Sequence, residues 1–137
     1  EGIIQLQEAV RLEPRNYMAH NNLGVAYLLR ENYPEAIGHL QTAVALAPEY
    51  ETARNNLAVA LKNSGDLEGA VHHLEQAIRI NPNYVEAYNN LGLALKDQGK
   101  LAEAVETFRR ALALNPVHPA AGRNLEETQA QLGRASN

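Results

Sequence analysis

The chain has 137 residues and a formal net charge of −4, with 45% hydrophobic residues but only six Tyr, one Phe and no Trp. It is long enough for one domain with a core rich in Ala and Leu, both of which favour helices. The absence of cysteine excludes disulfides, thiol nucleophiles and thiolate metal sites. A mildly acidic chain is also a poor candidate for binding nucleic acid, which needs clustered Lys and Arg.

The start of the chain, residues 1–5, has neither the basic segment nor the small-residue cleavage site of a signal peptide. No apolar run reaches the roughly 18 residues that a transmembrane helix needs, so we expect no membrane insertion. These features favour a soluble chain, cytoplasmic rather than secreted. Because no initiator Met is present, we expect the chain to be part of a longer protein.

A repeat of 34 residues organises the sequence. The string Asn-Asn-Leu occurs at 21–23, 55–57 and 89–91, and Arg-Asn-Leu follows at 123–125. Residues 51–84 and 85–118 are identical at 14 of 34 positions. The predicted order is a half repeat at 1–16 (a second helix only), full repeats at 17–50, 51–84 and 85–118, and a C-terminal capping helix at 119–137. Prolines keep the same spacing and end each second helix: Pro14, Pro48, Pro82 and Pro116.

Each full repeat is predicted to form two helices, because apolar residues recur at helical spacing in both halves. We expect Asn32 and Asp66 to cap the second helices and Gly65, Gly99 and Gly133 to close the first ones. Small residues at equivalent positions predict close approach of the helices within each hairpin: Gly24, Ala58 and Gly92; Ala36, Ala70 and Ala104; Ala43, Ala77 and Ala111.

This pattern resembles the tetratricopeptide repeat (TPR), whose signature is W-x₂-L-G-x₂-Y…A-x₃-F…P. The third repeat matches at Tyr88, Leu91, Gly92, Leu95, Ala104, Phe108, Ala111 and Pro116. His20 and Arg54 stand where the signature has an aromatic residue, and Glu31 stands where other repeats have the turn glycine, so we expect weaker local packing there. The resemblance covers the whole chain and implies an all-α, right-handed superhelical solenoid of antiparallel hairpins.

The resemblance also implies that first helices line a concave face, and that this face binds a protein or peptide. Three rows of residues are expected on it. The first row is Asn21, Asn55, Asn89 and Arg123; the second is Asn22, Asn56, Asn90 and Asn124; the third is Val25, Val59, Leu93 and Glu127.

The asparagines need a physical reason, because Asn is a mediocre helix former. A primary amide offers two donors and an acceptor oxygen, so a row of them can grip the main chain of an extended peptide. The alternative is that the amides bond across to the adjacent hairpin. We favour peptide binding for the second row, whereas for the first row exposure to solvent is the preferred interpretation.

The second row is similar to the asparagine ladder in the repeat region of O-linked N-acetylglucosamine transferases, which implies a mode of binding and not an activity. A different group in the family, the chaperone-tail binders, holds a carboxylate with Lys, Asn and Arg. Of those positions only Asn56 fits here, because Asn21, Val25, Glu86 and Asn90 occupy the others. We therefore do not expect that clamp.

Charged and histidine residues carry weaker signals. Lys62 and Lys96 occupy equivalent positions one turn further along the first helices and are candidates to steer an acidic ligand, although a solvated face is the preferred interpretation. His39 and His73 are expected to lie exposed on the convex side. We expect no metal site, because no His-x₃-His or His-carboxylate motif occurs.

No motif for catalysis appears, so we expect neither an enzyme nor a cofactor. The preferred function is a scaffold that binds an extended partner segment in the groove. One alternative is a self-assembly module that associates through the N-terminal helix, whose apolar stripe, Ile3, Ile4, Leu6 and Val10, lacks a covering helix. Another is the substrate-presenting region of a larger enzyme such as a glycosyltransferase. RNA binding is disfavoured by the charge.

Overall fold

The computed structural model describes residues 2–136, and its secondary structure over that range is helical, with no strands. The helices are α1 (Ile3–Leu12), α2 (Tyr17–Leu29), α3 (Tyr33–Leu46), α4 (Glu51–Asn63), α5 (Leu67–Ile80), α6 (Val85–Asp97), α7 (Leu101–Leu114) and α8 (Pro119–Ala135). The predicted all-α class is confirmed. Each full repeat contains one pair of these helices, and α1 and α8 flank the three pairs.

The stack curves in a defined direction. Each helix packs on the next one along the chain, and the first helices of successive hairpins also contact one another, α2 with α4, α4 with α6, and α6 with α8. Within residues 2–136 no such contact joins α3 to α5 or α5 to α7. First helices therefore lie on the inner side of the curve and second helices on the outer side.

The hairpins close on small residues, as the sequence predicts. Ala36, Ala70 and Ala104 are fully buried, and so are Ala43, Ala77 and Ala111. Large side chains fill the remaining space opposite a small partner: a Cβ added to Gly24 would lie 2.6 Å from Cγ of Leu40, and one added to Gly92 would overlap the ring of Phe108. At each of these contacts, a large side chain on one helix therefore packs against a glycine on the other.

The turns within the hairpins use a left-handed residue at the same repeat position. Gly65 has φ +101° and Gly99 has φ +81°, and Glu31 adopts φ +58° where the first repeat has no glycine. Gly133, in contrast, does not close a helix, because α8 continues to Ala135. Asp66 caps α5 by accepting from Gly69 N at 2.9 Å.

One expectation about helix capping needs correction. Asn32 stands at the N-cap of α3, but its side chain makes no capping bond. His20 and Arg54, which replace the first aromatic of the signature, make the same kind of contact as Tyr88, which matches it: each polar group meets the carbonyl of the proline six residues earlier. The three contacts are His20 Nε2 with Pro14 O (2.8 Å), Arg54 Nε with Pro48 O (2.9 Å) and the Tyr88 hydroxyl with Pro82 O (2.9 Å).

The N-terminal helix is less exposed than its sequence suggests. Leu6 is 7% exposed, and Ile3 and Val10 are half-buried. Of the expected stripe only Ile4 is largely exposed to solvent, with 77% of its surface accessible. The stripe faces α2, on which α1 packs, so a single neighbouring helix already covers most of it. None of the helices described combines the length and apolarity needed to cross a membrane.

Candidate functional site

The asparagine rows form hydrogen bonds between hairpins. Three of the four second-row amides donate from Nδ2 to Oδ1 of the first-row asparagine in the preceding hairpin. The bonds run from Asn56 to Asn21 (3.0 Å), from Asn90 to Asn55 (2.9 Å) and from Asn124 to Asn89 (3.0 Å). The amides thus link α2 to α4, α4 to α6, and α6 to α8.

The three asparagines of the first row are buried, which corrects the expectation that they face solvent or a ligand, whereas Arg123 of the same row is exposed. Asn21, Asn55 and Asn89 are 4%, 7% and 5% exposed. Successive first helices touch along this row, so each amide lies in the seam between two helices. Each of their side-chain oxygens accepts a hydrogen bond from the next hairpin. A buried amide left without a partner would lower the stability of the fold.

The second row remains accessible on the inner face. Asn56, Asn90 and Asn124 are half-buried, and Asn22 is exposed. After its bond to the seam, each of the three half-buried amides keeps one Nδ2 hydrogen and its Oδ1 lone pairs. Within residues 2–136, the Asn22 side chain makes no hydrogen bond.

Apolar side chains lie beside this row. Val25, Val59 and Leu93 are half-buried, and Leu93 also packs against the core. Each stands three residues after a second-row asparagine, so both lie on the same side of their helix. Each of α2, α4 and α6 therefore presents one amide and one apolar side chain on the inner face.

The two candidate lysines are already engaged within the chain. Nζ of Lys96 lies 3.4 Å from Oε2 of Glu127, and its side chain is only 20% exposed. Nζ of Lys62 lies 3.4 Å from Oδ1 of Asn63. Pairing with Glu127 offsets the charge of Lys96, whereas Lys62 meets only the neutral side chain of Asn63 and keeps its charge.

The histidines lie inside the hairpins and not on an exposed convex side, which corrects that expectation. Nδ1 of His39 lies 3.2 Å from Nδ1 of His20, and its ring stacks on Tyr27 with centroids 5.8 Å apart. Arg54 Nη1 donates to Nδ1 of His73 at 3.2 Å. Both contacts span 19 residues, which a search for repeated pairs of polar positions could have found.

Burial is the main cause that lowers the pKa of His73 below its usual value, and the nearby charge of Arg54 lowers this pKa further. Burial is also the main cause that lowers the pKa of His39, and repulsion from His20 lowers this pKa further. Both imidazoles are therefore held neutral near pH 7. Across the residues that the structure describes, no three His, Asp or Glu side chains converge to hold a metal ion.

The five best-formed cavities lie away from the second-row asparagines. Five cavities of 270–500 Å³ lie at the turns or against the outer helices, and none of them is lined by a second-row asparagine. An open, shallow face of this kind suits an extended chain better than a small molecule.

Models of the TPR repeat match residues 61–99, and models of the tetratricopeptide repeat match residues 3–51 and 85–118. The chain belongs to the tetratricopeptide-repeat family. No curated protein matches the sequence significantly. Solved structures do, and they have the same hairpin stack.

Three similar structures show how far the TPR likeness extends. The Sgt2 TPR domain from Aspergillus fumigatus is 28% identical with a TM-score of 0.84, covering 88% of this chain and 81% of that one. The first TPR of Spaghetti (RPAP3), bound to the HSP90 peptide SRMEEVD, is 25% identical with a TM-score of 0.83, covering 85% and 93%. MamA, at 24% identity and a TM-score of 0.88 over 96% and 77%, shows the fold alone.

Proposed function

We propose that this TPR chain is a protein-interaction module without chemistry of its own, and that it binds an extended partner segment along the inner face of the stack. The observation that carries the proposal is the seam of amide bonds at 2.9–3.0 Å. These bonds fix the side chains of Asn56, Asn90 and Asn124 while leaving each amide able to donate once and accept. Groups already held in place lose little entropy on binding.

Main-chain recognition follows from the chemistry of the amide. An extended peptide presents N–H and C=O groups at regular intervals, and one Asn side chain can accept from the first and donate to the second. The half-buried Val25, Val59 and Leu93 would contact the side chains that point toward the face. Such a surface binds many sequences and takes its selectivity from other positions.

The peptide bound to the Spaghetti domain supports a peptide partner in general. It does not support the same ligand here, because that peptide is acidic and the clamp expected for an acidic tail is absent. Glu86 occupies one of the clamp positions that would need Lys, and its side chain is 57% exposed. Of the two candidate lysines, Lys96 is paired with Glu127, and the charge of Lys62 alone does not supply the clamp.

The test isolates peptides from a random display library with the intact chain and then measures their Kd by fluorescence anisotropy. Asn22→Ala is the most informative single change, because this amide has no bond in the seam and its loss should leave stability unchanged. Each ladder contact is worth about 0.5–1.5 kcal/mol, so affinity should fall roughly two- to tenfold.

Asn22/Asn56/Asn90→Ala should weaken binding further, but it also removes two seam bonds. The affinity of this triple variant is therefore measured at a temperature well below the midpoint of its thermal unfolding. Circular dichroism confirms that the variant is folded at that temperature. Peptides that bind wild type and both variants equally would show that the amides serve the seam alone, and the proposal would fail.

A self-assembly module is the second candidate, and the exposed Ile4 is the observation that favours it. The substitution of Leu6 is not a fair test, because Leu6 is buried and a charge there would disturb α1. Ile4→Glu changes only the exposed side chain. If sedimentation shows wild-type dimers that this variant dissociates, the N-terminal helix mediates association.

A further inference from the structure

The inner surface of α2 is unusually apolar for an exposed helix face. Met18, Asn22, Val25 and Leu29 follow one another at spacings of four, three and four residues, which places them along one side of the helix. Met18 is 53% exposed and Leu29 is 81% exposed. Apolar groups left in water at such a position are informative, because burying them on a partner is favourable.

The same repeat positions become polar and then acidic along the stack. On α4 they are Thr52 and Asn63, and on α6 they are Glu86 and Asp97, both exposed. Glu86 meets Nε2 of His118 through Oε1 at 2.6 Å, which leaves its other oxygen free of that contact. The inner face therefore has an apolar end at α2 and an acidic end at α6, joined by the second-row asparagines.

The cations near the acidic end do not cancel this gradient. Lys96 is turned to Glu127 of α8, and its side chain is mostly covered. Lys62 belongs to α4 and is half-buried beside Asn63. Arg123 lies further along, on α8. Glu86 and Asp97 remain the exposed charges of α6 on this face.

We infer that the bound segment is an extended peptide with an aliphatic side chain over α2 and a Lys or Arg over α6. The inference rests on the proposed function and adds the chemistry and register of the ligand. Contacting helices lie about 8–10 Å apart, so α2 and α6 are separated by about 16–20 Å. Extended chain rises about 3.3 Å per residue, which places the two anchors roughly five or six residues apart.

The test uses a display library of random twelve-residue peptides selected on the intact chain, followed by Kd measurements on the selected sequences. Selected peptides should share an aliphatic and a basic residue at that separation. Met18→Ser/Leu29→Ser should weaken them roughly tenfold and abolish the effect of replacing the peptide's aliphatic residue by Ala. Glu86→Gln/Asp97→Asn should do the same for replacement of the basic residue by Gln.

Ile4→Ser/Leu12→Ser is the matched control, since it removes two exposed apolar side chains from α1, outside the inner face. It should leave the affinity unchanged. The peptide SRMEEVD serves as the acidic comparison and should bind more weakly than the selected sequences. Tighter binding of SRMEEVD would overturn the inference.

The remaining outcomes separate the inference from the proposed function. Peptides that depend on Asn22 but lack the paired anchors would overturn the inference and leave main-chain binding intact. A library that yields no Asn22-dependent binder would instead defeat the proposed function itself. If wild type forms dimers that Met18→Ser/Leu29→Ser dissociates, a second copy of the chain occupies the apolar side of α2 and the peptide assignment is wrong.

Discussion

Asn90 donates from Nδ2 to Oδ1 of Asn55 across 2.9 Å, and this bond joins two residues 35 positions apart on neighbouring hairpins. The donor lies half-buried at the inner face, and the acceptor lies buried in the seam behind it. The asparagine pairs therefore join neighbouring hairpins, and the second row lies at the inner face that we propose as the binding surface. The proposed peptide binding uses amides that also join the hairpins, and substitutions should separate the two roles.

Asn55→Ala should lower the free energy of unfolding by about 1–3 kcal/mol, because it leaves the Asn90 amide without its partner and opens space in the seam. Urea unfolding followed by circular dichroism measures the change. Asn22→Ala is the control, since its exposed side chain bonds to no other hairpin, and its stability should match wild type. Equal stability of the two variants would show that the seam bonds contribute nothing net.

Gly92→Ala should destabilise the third hairpin, because the added Cβ would overlap the Phe108 ring, which is fully buried and has no room to move. Overpacking costs about 1–3 kcal/mol, which exceeds the roughly 1 kcal/mol that Ala gains over Gly in a helix. Gly38→Ala meets no atom within 4 Å and should stabilise by up to that smaller amount. Thermal melts of the two variants should therefore shift in opposite directions.

Glu31→Gly should stabilise the chain by about 0.5–1 kcal/mol. Glu31 adopts φ +58° at the position where the next two repeats have glycine, and a side chain in the left-handed region costs roughly 1–2 kcal/mol. Glycine removes that cost but gains freedom in the unfolded chain, which reduces the benefit. Guanidinium unfolding measures the difference, and a less stable variant would show that the Glu31 side chain contributes contacts of its own.

Stability should decrease as the pH falls below about 6.5, the ordinary pKa of histidine. The folded state lowers the pKa of His39 and His73, chiefly by burial. The unfolded chain therefore binds protons first, and the free energy of unfolding rises with pH across this range. The stabilisation is complete above the unfolded pKa and is lost as the pH falls toward the lower folded values.

Urea unfolding at pH 7.5 and at several values down to pH 5 measures this dependence. His39→Gln/His73→Gln should flatten the curve over the same range, because glutamine does not titrate. Wild type and variant curves with the same slope would assign the pH dependence to the carboxylates instead.

The sequence alone was sufficient for the helices, their pairing into hairpins and the membership in the family. The 34-residue spacing and the 3.6-residue apolar period are local signals, and small residues such as Ala36 and Gly92 show where helices approach. The resemblance to the family also implied that the second-row asparagines lie on the inner face.

Only the tertiary structure decided which asparagine of each pair is buried. Asn55 and Asn56 are adjacent and chemically identical, and they point about 100° apart on the helix. The offset between successive hairpins turns Asn55 into the seam and Asn56 toward the open face. Packing of α1 on α2 covers Leu6, and packing within the first hairpin brings His39 against His20, because contacts between elements depend on how helices are packed and not on the period within one helix.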